Sequence, residues 1–160
     1  MTIAEFDRKD EAEIALLLLE CCGSSNWVNH MVARRPFVNQ DRLEEAATAT
    51  WQKLTPEDWL EAFSKHPKIG EKGKVSQWSA QEQSGMNAAA AQVADRLAEL
   101  NRVYYEKFGF IFIVCATGKT AEEMLALLEA RLPNSRQVEL PIAAAEQNKI
   151  TLLRLRKLLA

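Results

Sequence analysis

Apolar residues recur along most of this chain at three- and four-residue spacing, the period of a helix that buries one face. The clearest runs are Ile14-Ala15-Leu16-Leu17-Leu18-Leu19, the stretch from Trp59 through Phe63, a long pattern across the alanine-rich residues 88–91 to Lys107, and a final one reaching Leu159. Punctuation falls between them. Asp10 with Glu13 reads as a capping box ahead of the first run, and Gly23 as its stop. Asn26 is placed to cap a short helix over residues 27–34, which Pro36 closes. Asp41 with Glu44 opens a helix to Lys53, and Thr55-Pro56-Glu57-Asp58 supplies cap, first-turn proline and early acids for the helix leading to His66. Ser79 opens the long helix, which Gly109 ends, and Thr120 with Glu123 caps another through Leu132 before Pro133-Asn134-Ser135 breaks it. Pro141 lies inside or at the start of the last pattern, which predicts a kink or a later start. The prediction is an all-α fold: a single-domain helical bundle of about seven to eight helices over residues 1–160, without repeats or low-complexity linkers.

One segment departs from the pattern. Phe110-Ile111-Phe112-Ile113-Val114-Cys115-Ala116 is β-branched and aromatic, and propensity favours a strand. A single strand has nothing to pair with in a helical chain. The expectation is buried extended or irregular backbone, or an apolar helix start; in the irregular form its N–H and C=O groups are open to a ligand. Residues 67–78, with two glycines and three lysines, read as an exposed loop.

At 160 residues, 48% of them hydrophobic and 26% charged, the chain suits one domain with a sizeable core. The net charge is −2 with basic residues dispersed, so a nucleic-acid footprint is absent. No apolar run approaches a membrane span and no signal-peptide pattern opens the chain, which argues against a membrane partner. Three cysteines without a CxxC spacing point to a reducing, cytoplasmic setting, and Cys21-Cys22 reads as core. Gly118-Lys119-Thr120 mimics the end of a P-loop, but Ile113 stands where the earlier glycine is needed. His30, His66 and the cysteines lack metal-ligand spacing, so no metal is expected. The four tryptophans read as core or interface anchors.

Candidate chemistry concentrates around His66, one of only two histidines. Pro67 pushes it away from αR geometry, so the helix stops and the imidazole sits at a helix-to-loop corner. Glu82 follows at the start of the next helix, where a proton-transferring histidine and a carboxylate could face one another across a pocket. Each has a plainer reading: Ser79-x-x-Glu82 is a capping box, and His66 a helix C-terminal residue favoured by the dipole. Arg154 and Arg156 both emerge from the apolar last helix, as snorkelling stems or as guanidinium groups aimed into a pocket, and spacing does not choose.

With those residues in view, the chain resembles the 2-oxo-4-hydroxy-4-carboxy-5-ureidoimidazoline (OHCU) decarboxylases of urate breakdown. The likeness is carried by His66-Pro67-Lys68-Ile69-Gly70, Trp78-Ser79-x-x-Glu82-Gln83-x-Gly85, Leu100-Asn101-x-x-Tyr104-x-x-Lys107-Phe108-Gly109-Phe110, Phe112-Ile113 and Lys149-Ile150-x-x-Leu153-Arg154-Leu155, in that order. It implies a helical homodimer, without metal or organic cofactor, that converts OHCU to (S)-allantoin and carbon dioxide. By position it makes His66 the acid/base residue, Glu82 its carboxylate partner and Arg154, rather than Arg156, the substrate-facing guanidinium. Pro67, Ser79, Gln83 and the backbone of Phe112, Ile113, Val114, Cys115 and Ala116 become substrate contacts. The chain departs from the family pattern at Ile111, where proline is frequent, and at Pro141. A helical ligand-binding or interaction domain without turnover is the rival from another class.

Overall fold

Short polar side chains start the helices, and they decide where each begins. In the computed structural model, which describes residues 1–67 and 88–160, Thr2 and Glu5 form a reciprocal capping box for α1 (Ile3–Arg8), a helix that the sequence reading did not anticipate. Asp10 caps α2 (Glu11–Cys21) by accepting from the Ala12 N–H at 3.1 Å. Glu13 does not return to that cap as expected; it pairs with Lys9 at 3.5 Å. Ser24, not Asn26, caps α3 (Ser25–Ala33), because the Asn26 amide is drawn to Asp58 at 2.8 Å. Asn39, not Asp41, caps α4 (Gln40–Gln52), while Glu44 turns to Gln40 and Arg156. The Thr55–Asp58 box starts α5 (Pro56–Ser64).

The long helix α6 is described over Ala88–Phe108 and ends at Gly109, whose φ of 80° is the left-handed geometry glycine adopts freely. Its expected start at Ser79 lies outside the described residues. Thr120 and Glu123 box the start of α7 (Ala121–Arg131). The last helix, α8 (Arg136–Leu159), takes Pro141 into its interior, so the later start does not occur. The bond Pro141 cannot make falls to the Gln137 carbonyl, near the helix's open end. The fold is all-α, with eight helices and no strand among the described residues. No helix among them is long and apolar enough to cross a membrane.

The chain divides into two compact units, Met1–Lys65 with Ala144–Ala160, and His66–Ala143. In the first, α3 packs against α2, α4 and α5, and Phe6, Ile14, Leu18, Trp27, Met31, Leu43, Phe63 and Leu155 are buried. Three indoles anchor it through N–H donation: Trp27 to the Ala47 carbonyl at 3.1 Å, Trp51 to Ala144 at 2.8 Å and Trp59 to Trp51 at 3.0 Å. In the second unit α6 packs on α7, and Tyr104 gathers the rings of Phe108, Phe110 and Phe112 at 4.5, 5.8 and 5.3 Å.

Cys21 and Cys22 are buried, as their apolar run suggests. Burial pushes the Cys21 thiol up to about 11 and Cys22 up to about 12, with the Arg154 charge opposing the shift at both. Unfolded thiols ionise near 9, so above that value the unfolded state binds fewer protons than the folded one. Their contribution is therefore complete below pH 9 and is lost as pH climbs through the folded values. The slope is about 1.4 kcal/mol per pH unit for each thiol. Urea midpoints taken below pH 9 and between pH 9 and 11 should fall, and fall less steeply in Cys21→Ala/Cys22→Ala; equal slopes would show that these thiols do not titrate on unfolding.

Candidate functional site

Helix α5 ends at Ser64, Lys65 takes the cap in αR geometry, and His66 stands half-buried at the bend that follows, with Pro67 exposed after it. The corner position read from His66-Pro67 is thus where the imidazole stands. What sets that corner is a close approach inside the first unit. A Cβ placed on Gly23 would lie 2.8 Å from the Lys65 Cβ and nearer still to its Cγ. Gly23 does not serve as the left-handed stop expected of it, since α2 ends at Cys21 with Cys22 extended; its bare Cα instead lets the residue before His66 rest against its backbone.

Arg154 reaches the same end of α2. Its Nη1 donates to the carbonyls of Glu20 at 3.2 Å and Cys21 at 3.4 Å, two acceptors that the helix terminus leaves over. No carboxylate pairs with Arg154 among the described residues, and its other nitrogens have no hydrogen bond there. Arg156 is committed elsewhere. Its Nη2 and Nε grip Glu44 at 2.6 and 3.2 Å, which holds the Glu44 carboxyl below its usual range. Geometry thus separates two arginines that spacing leaves equivalent.

In the second unit, residues 111–116 form no helix and no strand. Phe112, Ile113, Val114 and Cys115 are buried, and Ala116 is exposed. The Ile113 carbonyl accepts from Arg131 Nη1 at 2.7 Å, and the Cys115 carbonyl from Lys119 Nζ at 2.7 Å. The backbone N–H groups of Phe112, Ile113 and Val114 bond to no group among the described residues. Behind the segment lies a buried ionic network. Arg131 Nε donates to Glu139 Oε1 at 2.5 Å, the Tyr104 hydroxyl to the same oxygen at 2.7 Å, and the Asn134 amide to Oε2 at 3.0 Å. The Arg131 guanidinium also lies 4.5 Å over the Phe112 ring. Burial, then the bond to Glu139, pushes the Tyr104 hydroxyl well above its ordinary value.

His66, Pro67 and residues 112–116 thus belong to the second unit and Arg154 to the first, while Ser79, Glu82 and Gln83 lie outside the described residues. Gly23, Arg131 and Glu139 were not singled out for the site from sequence. No spacing marks an ion pair across a helix break, and a helix-ending glycine looks the same with or without a neighbour against it. Among the described residues no three His, Cys, Asp or Glu side chains group as metal ligands.

A family model described as OHCU decarboxylase matches residues 7–156. The chain belongs to the OHCU decarboxylase family. Similar proteins include the uric acid degradation bifunctional protein TTL of Arabidopsis thaliana, 44% identical over 86% of this chain and 45% of that protein. The 2-oxo-4-hydroxy-4-carboxy-5-ureidoimidazoline decarboxylase of Halalkalicoccus jeotgali is 27% identical over 99% of this chain and 92% of its own length. Among solved structures, that of an OHCU decarboxylase in the presence of (S)-allantoin superposes with a TM-score of 0.76 at 38% identity, covering 94% of this chain and 99% of that one. The chain spans under half the length of the bifunctional relatives it matches, 45% of the Arabidopsis protein and 32% of that from Bacillus subtilis.

The contact at Gly23 predicts a definite cost. Because Lys65 Cβ is fixed by its backbone, Gly23→Ala must displace the end of α5, and it should destabilise the protein by about 1–3 kcal/mol in urea unfolding. An unchanged midpoint would mean that α5 yields freely at that point.

Proposed function

We propose that this chain is a carboxy-lyase that converts OHCU to (S)-allantoin and carbon dioxide in urate breakdown. The observation that carries the reading is the family match over residues 7–156, which takes in every candidate site residue. The similar structure in the presence of (S)-allantoin supports the product.

In the proposed mechanism the bond from the ring carbon to the substrate carboxylate breaks and carbon dioxide leaves. The adjacent ring imine takes up the electron pair, so the substrate supplies its own electron sink. The protein must orient the ring, stabilise the developing charge and deliver one proton to one face. His66 gives that proton, since an imidazole gives and takes protons near neutral pH. Glu82 holds the imidazole or the substrate hydroxyl, a role that rests on the resemblance alone. Arg154 binds a substrate carbonyl or carboxylate, and its lack of a carboxylate partner among the described residues supports this. Pro67, Ser79, Gln83 and the backbone of residues 112–116 complete the contacts; the N–H groups of residues 112–114, which bond to no group among the described residues, support the last of these.

A homodimer in the cytoplasm belongs to the same reading. Leu16 and Leu19, 66% and 43% exposed on α2, support a self-association face, and three buried cysteine thiols support a reducing compartment.

The deciding experiment is circular dichroism on OHCU generated in situ from urate by urate oxidase and hydroxyisourate hydrolase. Rapid appearance of the (S)-allantoin signal is expected. Only slow, racemising decay would leave a binding domain as the reading. His66→Asn should lower stereospecific turnover by about 100-fold or more with the helical signal intact, and near-wild-type activity in that variant would sink the assignment. The two arginines make a paired test. Arg154→Ala should lower kcat/KM by about 100-fold, as expected for losing a charge-assisted contact. Arg156→Ala breaks a partly exposed pair and should cost about 1 kcal/mol of stability with activity within about twofold. A reversed order would transfer the role to Arg156.

A further inference from the structure

We propose that Arg131, aimed by Glu139, is a positioning residue for the substrate: it fixes the backbone of residues 112–114 in the form that offers its amide N–H groups to the ligand. The inference rests on the decarboxylase reading above and names what prepares one wall of that site.

The segment has neither helix nor ladder bonds, so no local pattern fixes its dihedral angles. Arg131 supplies what is missing, in two ways at once. Nη1 holds the Ile113 carbonyl at 2.7 Å, and the guanidinium plane covers the Phe112 ring at 4.5 Å. The fork is itself aimed. Nε is tied to Glu139, whose oxygens are held by Tyr104 from α6 and by Asn134 just before α8. Helical anchors thus converge on one carbonyl of an irregular strip. A lysine cannot reproduce this, because an ammonium is a single point charge without a planar fork.

Arg131 Nη2 sharpens the case. It is buried with no hydrogen-bond partner among the described residues, and the residue is only 8% exposed. A network retained for stability alone is expected to satisfy its donors, and a buried ion pair is weak support for stability in any case. Placement of the strip accounts for keeping it. With the Ile113 carbonyl taken by Arg131, residues 112–114 keep three amide N–H groups, one more than their remaining carbonyls, without a partner among the described residues. Those suit a ligand dense in acceptor oxygens, as a carboxylated ureido ring is.

The test is steady-state kinetics on OHCU with wild-type protein, Arg131→Lys and the charge-neutral pair Arg131→Gln/Glu139→Gln, each checked for helical content. A positioning role predicts KM raised about tenfold, the equivalent of one lost hydrogen bond, with kcat within about threefold. A merely structural role would lower the melting temperature and leave KM alone, and that result overturns the proposal. Amide hydrogen exchange on the wild-type protein gives a reading independent of whether the variants fold. (S)-Allantoin should slow exchange at residues 112–114, and unaltered exchange there overturns the proposal as well. Wild-type protein without decarboxylase activity would bring down the functional reading itself, an outcome visible in the same kinetics before any variant is compared.

Discussion

Glu139 is fully buried, and a carboxyl group so placed is tolerated only where opposite charge and hydrogen-bond donors meet its oxygens. Arg131 brings the charge, and Tyr104 and Asn134 bring the remaining donors, so α6, α7 and the start of α8 must arrive in one register before the group is satisfied. Much else in the second unit follows. Tyr104, turned to reach the carboxylate, becomes the ring around which Phe108, Phe110 and Phe112 pack. Arg131, turned to reach it from the other side, has Nη1 left for the Ile113 carbonyl. A buried stretch of non-helical chain thereby gains an anchor that its own backbone cannot provide.

The core anchors of the first unit are neutral instead, and its ion pairs, Glu44–Arg156 among them, reach solvent. Indole N–H groups of Trp27, Trp51 and Trp59 donate to carbonyls, and the absence of a side chain at Gly23 admits Lys65. The end of α2 is where these arrangements meet the proposed chemistry. Within residues 20–23 it accepts from Arg154 and supports the residue that precedes His66. Small movements of one turn would therefore be felt by two of the residues assigned to the reaction.

Most of the helices were legible in the sequence because amphipathic period and capping chemistry agree along the chain. The capping errors share one cause: a polar side chain near a helix start has several partners to choose from, and tertiary neighbours decide. Asn26 reads as a cap until Asp58 is seen beside it, and Glu44 reads as half of a capping box until Arg156 arrives. Helix α1 was missed although Thr2-x-x-Glu5 carries the same signature as Thr55 and Asp58, because six residues are too few to show a period. Of the candidate site, the corner position of His66 was legible from the proline after it. Spacing left Arg154 and Arg156 equivalent, the resemblance chose Arg154, and the difference in their partners became visible only in the structure. Arg131 and Glu139 were invisible, since charged residues are expected at the surface and burial is a property of the whole fold.

The first unit is assembled from two ends of the chain, and that has a consequence for how it is made. Residues 144–160 join α4 and the residues around it through contacts spanning 93 to 112 positions: Trp51 to Ala144, Thr48 to Asn148 and Glu44 to Arg156. A chain emerging from the ribosome will have exposed α2 to α5 long before their last neighbour exists. Such distant closures are slow, and they leave apolar surface uncovered in the interval. The second unit draws on one continuous stretch and is free to form first, so the N-terminal helices stay incomplete until the segment that carries Arg154 arrives.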